Sequence, residues 1–153
     1  MRAALLLAAL ALAAPSAAAA QARQQATVLM SENDEERRFQ EEWGYADAIV
    51  AGDTIYLSGI VAGQREGETL EAAYERTYAR IGAVLRRAGA SWDDVVDITT
   101  FHTDLAAHTD GFVAVKNNYV KAPFPAWTAI GVSRLYEPTA VVEIKVVAVK
   151  TRR

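Results

Sequence analysis

The chain has no cysteine among its 153 residues. Disulfides and thiol catalysis are therefore excluded, and stability has to come from packing or from association between copies. Histidine is nearly as scarce, with only His102 and His108. Together with Asp104 and Asp110 their spacing matches no ligand motif, so no metal site is expected and both read as solvated or capping residues. Ser58 lacks the glycines of a Gly-x-Ser-x-Gly elbow, which speaks against a Ser-His-Asp hydrolase. Glycine-rich phosphate loops are missing as well. The formal net charge of −3 and a sequence pI near 5.4 leave no broad basic footprint for nucleic acid.

Long apolar runs are also lacking after the first 20 residues. Those 20 carry one charge, Arg2, then an apolar run over residues 3–14 and four alanines at 17–20. This is the layout of a secretory signal peptide cleaved before Gln21, so export to the periplasm or beyond is expected. The run is shorter than the ~20 apolar residues a membrane span needs. After its removal about 130 residues remain, enough for one domain with one core and no membrane segment.

What is present is a regular alternation of strand and helix patterns. Residues 21–30 read as a solvated leader. Ser31-Glu32-Asn33-Asp34 reads as a possible helix start with acids in its first turn. Residues 45–51 and 54–58 read as a hairpin around Gly52-Asp53, which Gly59 and Gly63 are expected to break. Residues 69–88 form the clearest helix, with Leu70, Ala73, Tyr74, Thr77, Tyr78, Ile81, Val84 and Leu85 on one face and Gly89 as its stop. Tyr74 and Tyr78 read as core edge. Ser91 to Asp94 reads as a capped turn, residues 95–103 as a third strand, and residues 106–120 as a second helix weakened by Gly111.

Residues 123–149 organise the rest. Residues 126–132 and 140–149 read as two strands of one sheet, the first starting just past Pro123 and Pro125. Residues 140–149 are nearly continuous β-branched chain, as in a central strand. Glu143 and Lys145 share one face of it, and Val142, Ile144 and Val146 the other. A carboxylate in such a strand needs water, a partner or a ligand, because burying it alone is costly. The expected fold is α+β, a two-layer sandwich of a mixed β-sheet with two helices in the order β-β-α-β-α-β-β. One sheet face would then be apolar and bare, ready to meet another subunit.

In order and spacing, several pieces resemble the RidA family, also called YjgF or Rid. They are Tyr45 to Gly52 with Ile55-Tyr56-Leu57-Ser58-Gly59, and Leu85-Arg86-Arg87-Ala88-Gly89 with Asp93-Asp94-Val95-Val96. Thr103-Asp104, residues 112–119, Phe124-Pro125-Ala126, Arg134-Leu135 and Val142-Glu143-Ile144 complete the set. The resemblance runs from residue 43 to 149 and marks residues 43–153 as the domain, with 21–42 as an extension ahead of it. It implies a chorismate-mutase-like fold assembled as a homotrimer, small-molecule clefts between subunits, and no cofactor or metal.

In the best-known branch, the resemblance implies hydrolysis of enamines and imines to keto acids and ammonia. There an arginine after Pro-Ala grips the substrate carboxylate, and a glutamate on the last strand orients the attacking water. Carried over, Glu143 is the catalytic residue, and Tyr45, Ser58, Lys116, Trp127 and Thr128 are the substrate-binding set. Trp127 stands where the arginine would be, and Lys116 where a helix asparagine would be. Trp127 offers a flat apolar wall and one N–H donor. The pocket should therefore prefer something neutral, aromatic or cationic. Two readings stay open: a divergent hydrolase, or a trimer that binds a small ligand without turnover. Ribonuclease activity, attached to some relatives, fits an acidic chain poorly.

Overall fold

The central strand is β7, Ala140–Val149, and every layer of the molecule is arranged around it. The computed structural model describes residues 22–151, so the expected signal peptide lies outside the described residues. On one side β7 pairs antiparallel with β3, Thr54–Leu57, and with β4, Ile60–Gly63. On the other it pairs antiparallel with β5, Val95–His102, which runs parallel to the edge strand β6, Ala126–Gly131. β2, Ala48–Ala51, forms the expected hairpin with β3 through the positive-φ Gly52. The outermost strand is β1, Thr27–Leu29, antiparallel to β2.

The sequence reading requires two corrections here. Gly59 and Gly63 do not end the sheet, because Ile60–Gly63 is a strand of its own against β7. Residues 27–29 of the expected solvated leader are an edge strand.

Two helices cover one face. α2, Leu70–Arg87, is capped by the Thr69 hydroxyl on the Ala72 N–H, and Gly89 follows it at φ 81°. α3, Leu105–Tyr119, is capped by the Asp104 carboxylate on the Ala107 N–H, while Ser91 and Asp94 make a capping box in the turn between α2 and β5. Tyr74, Tyr78, Ile81 and Leu85 of α2 and Phe112 of α3 are fully buried against Ile55, Ile98, Val142, Ile144 and Val146. Each such side chain contributes ~1.5–3 kcal/mol of burial. Burial pushes the Tyr74 hydroxyl up to about 12 and Tyr78 higher still. Both are core, as read from their spacing.

A third helix lies ahead of the sheet. α1, Asp34–Trp43, starts at Asn33, whose side chain accepts the Glu35 and Glu36 N–H groups. The cap is thus Asn33 rather than Ser31. The Ser31 hydroxyl instead donates to Glu36 at 2.8 Å. Buried Gln40 ties the helix down, accepting the Ser31 N–H at 2.8 Å and donating to Asp47 at 2.7 Å. Asp47 is held in turn by Arg87 of α2 at 2.9 Å. No helix among the described residues is long and apolar enough to cross a membrane.

Candidate functional site

The bare face of the sheet carries Glu143. Residues in register share a face, so Val61 of β4, Phe101 of β5 and Ile130 of β6 lie in its row. Tyr56, Val147 and Val149 extend the same face, and Tyr56 is 53% exposed. Glu143, Lys145, Asp97, Thr99, Thr128 and Thr54 interrupt it with polar groups.

The Glu143 carboxylate lies against Gly59, in the break between β3 and β4. A Cβ at residue 59 would overlap Glu143 Oε1, Cδ and Cγ. The absent side chain is what lets the acid lie there. The Glu143 carboxylate makes no hydrogen bond or ion pair with another described residue. It lines an open pocket of about 290 Å³ with Ile49, Tyr56, Ser58, Gly59 and Lys145. Through Ser58 and Gly59 that pocket adjoins a second one lined by Tyr45, Asp47, Ile60, Val61 and Arg80.

The structure thus gathers Tyr45, Ser58 and Glu143 around Gly59. The Ser58 hydroxyl is already engaged, donating to the Ala46 carbonyl at 2.6 Å. Tyr45 is half exposed, and its hydroxyl titrates above the usual tyrosine range, first because of partial burial and then because of the Asp47 carboxylate. Its ring meets Phe39 edge-on at 6.2 Å, and Phe39 stacks on Trp43 at 5.1 Å. Trp43 meets Tyr136 at 5.3 Å. Phe39 and Trp43 belong to α1 and carried no functional signal in the sequence.

Trp127 and Lys116 lie elsewhere. Trp127 is in register with Ile98 and therefore faces the helix layer, opposite to Glu143. It is 37% exposed at the sheet edge. Its indole N–H is not free for a ligand, because it donates to Thr100 Oγ1 at 3.0 Å. Thr100 donates to the Thr128 carbonyl at 3.3 Å, and His102 Nε2 lies 2.9 Å from the same hydroxyl. His102 is fully buried, which corrects its reading as a solvated residue. Burial, with His108 nearby, lowers its pKa.

Lys116 of α3 is only 8% exposed, and its Nζ sits 4.8 Å from the centre of the Trp127 ring. These two line a pocket of about 260 Å³ with Ile98, Asn117, Val120, Phe124 and Pro125. Thr128 turns its side chain to the bare face, in the row of Thr99 and Lys145. One protomer therefore holds two separate groupings: Tyr45, Ser58 and Glu143 on the bare face, and Lys116 with Trp127 at the helix-side edge. No group of three or more His, Asp or Glu among the described residues could hold a metal.

Residues 35–150 match the family model described as endoribonuclease L-PSP. The chain belongs to the RidA (YjgF) family. The RutC family protein YjgH of Escherichia coli is 38% identical over 99 residues, which is 61% of this chain and 75% of that protein. A 2-iminobutanoate/2-iminopropanoate deaminase of Dermatophagoides farinae is 30% identical over 113 residues, covering 69% of this chain and 84% of its own. In shape, a YjgF/YER057c/UK114-family protein of Mycobacterium tuberculosis matches with a TM-score of 0.71 at 23% identity, over 82% of this chain and all of its own. For a RidA-family chain the α+β sandwich is thus the expected architecture.

Proposed function

We propose that this protein hydrolyses a neutral or aromatic imine or enamine in a cleft between two copies of the chain. In the cleft Glu143, Tyr45 and Ser58 of one copy face Trp127 and Lys116 of the next. The observation that carries the reading is the Glu143 carboxylate, set on Gly59 without a partner among the described residues, in a row of the bare face otherwise formed by Val61, Phe101 and Ile130. A carboxylate so placed can take a proton from water as the oxygen attacks the C=N carbon. The carbinolamine then collapses to the carbonyl compound and ammonia, so one water is consumed and nothing else is needed. Two groups on opposite faces of one sheet meet only across a boundary between copies. The bare face supplies such a boundary, and a homotrimer closes it with three equal clefts.

The substrate class follows from what faces the acid. Trp127 supplies a ring in place of a guanidinium, and a substrate carboxylate beside Glu143 would meet like charge. The deaminase named for the mite relative supports the reaction type for this chain, not its substrate. Export of the mature chain is part of the proposal; a chain that stays in the cytoplasm with residues 1–20 attached removes that part.

A ligand-binding reading without turnover is favoured by one observation. Ser58 and the Trp127 N–H are both committed to the protein itself. Ammonia release from freshly generated 2-aminoacrylate and from a neutral aromatic imine that carries no carboxylate, such as the N-unsubstituted imine of acetophenone, separates the two. Wild type should exceed background with the aromatic compound, and Glu143→Gln should fall to background. Equal background rates in both proteins with both compounds leave only the binding reading.

A further inference from the structure

The amine of Lys116 is unusual among the four lysines of this chain. Lys121 and Lys145 are exposed and Lys150 half-buried, whereas Lys116 is buried on α3. It has no carboxylate within ion-pairing distance among the described residues. Its one polar contact is the neutral Asn117 side chain, at 3.0 Å. The rest of its pocket is ring and aliphatic surface from Trp127, Phe124, Pro125, Ile98 and Val120, and among the described residues Lys116 is the only charged one lining it. Within one protomer an ammonium held there loses most of its hydration and has the Trp127 ring but no counter-charge beside it, so the neutral amine is favoured relative to that of a solvated lysine. In accord with this, burial draws the Lys116 pKa below the usual lysine range. A neutral lysine amine against apolar walls is the state that attacks carbonyl carbon.

We propose that Lys116 is a nucleophile that captures small neutral aldehydes or ketones as imines in the pocket beside Trp127. The amine nitrogen forms a bond to the carbonyl carbon while the oxygen takes a proton. The nitrogen then gives up its protons, the oxygen leaves as water, and a C=N bond remains; hydrolysis reverses every step. No oxidant or co-reactant enters. The walls set the substrate class. An apolar or aromatic tail fits against Trp127 and Phe124, and a carboxylate finds no second cation in the pocket to pair with. This inference goes beyond the hydrolase reading: it gives Lys116, one wall of the proposed cleft, a covalent role in which Glu143 takes no part.

The test uses the folded mature chain with benzaldehyde and cyanoborohydride, which reduces any imine to a stable benzyl-amine. Peptide mapping by mass spectrometry then reports the label on each lysine. Lys116 should be labelled ahead of Lys121, Lys145 and Lys150 despite being the least accessible. The preference should vanish in urea-unfolded protein, and Lys116→Arg should lose the adduct at that position without gaining one elsewhere. Labelling that follows exposure, with Lys116 last, overturns the proposal. If Lys116→Arg does not fold, the comparison of folded and unfolded wild type decides alone. Pyruvate serves as the charged comparison, and labelling of Lys116 by pyruvate as strong as by benzaldehyde overturns the neutral-substrate part. Because the readout is the mass of one peptide and involves no ammonia release, failure here leaves the hydrolase reading untouched, and the reverse also holds.

Discussion

At the scale of single residues, the position of Glu143 depends on an atom that residue 59 does not have. A Cβ there would overlap Glu143 Oε1, Cδ and Cγ, all side-chain atoms and none of them backbone. Rotation of the whole Glu143 side chain about Cα–Cβ can relieve the overlap, whereas a backbone clash would strain the strands. Gly59 is not one of the positive-φ glycines, so alanine meets no conformational penalty there. Gly59→Ala is therefore expected to leave the melting temperature nearly unchanged while moving the carboxylate off its seat. Hydrolysis should drop as far as it does in Glu143→Gln. Full activity in a folded Gly59→Ala protein would mean that the carboxylate's position is irrelevant to function. This contact was out of reach of the sequence, because nothing in the spacing of Gly59 and Glu143 says that they meet. The roles of Thr100 and His102 were hidden for the same reason. Their strand alternation places them inward, but only coordinates show a shared hydroxyl that fixes Trp127.

At the scale of elements, long periodic stretches were legible and short ones were not. The 18 residues of α2 repeat their apolar positions over five turns, and the observed bounds fall one residue inside the expected ones at each end. The ten residues of β7 are a β-branched run that only a central strand accommodates. β4 has four residues and β1 three, too few to show a period, and glycines frame the former. What holds β4 against α2 is a clasp that the sequence does not advertise. Arg76 of α2 grips both oxygens of Glu68, at 3.0 and 2.8 Å, and also donates to the Gly63 carbonyl at the end of β4. The Arg76 hydrogen bonds, followed by the Arg65 N–H, hold the Glu68 carboxyl down at about 2. The unfolded chain protonates this group near pH 4.3, roughly the free glutamate value. The folded state thus gains from the clasp at all pH above that value, and the gain disappears as pH falls toward 2. Urea midpoints of wild type and Glu68→Gln should differ near neutral pH and converge between about pH 4.3 and 2. Curves that stay parallel across that window would show that the clasp does not couple to folding.

At the scale of the whole molecule, the decisive feature is that one sheet separates the two candidate groupings. The sequence resemblance put Glu143 and Trp127 in one cleft, and alternation along β5, β6 and β7 places them on opposite faces of the same protomer. The two statements agree only if the cleft is built from two copies, and the bare face with Tyr56, Ile130 and Val149 exposed gives those copies a surface to share. This can be tested by complementation. Glu143→Gln protomers keep a native Trp127 half, and Trp127→Ala protomers keep a native Glu143 half. When the two variants are co-expressed in equal amounts and mix at random, about a quarter of the clefts receive both native halves, since each half is drawn independently. The mixed protein should then recover about a quarter of wild-type hydrolysis, although each variant alone stays near background. A mixture with no more activity than the sum of its parts would place the whole site within one chain, where the sheet keeps the acid and the indole apart, and a cleft shared between copies could no longer be the seat of the reaction.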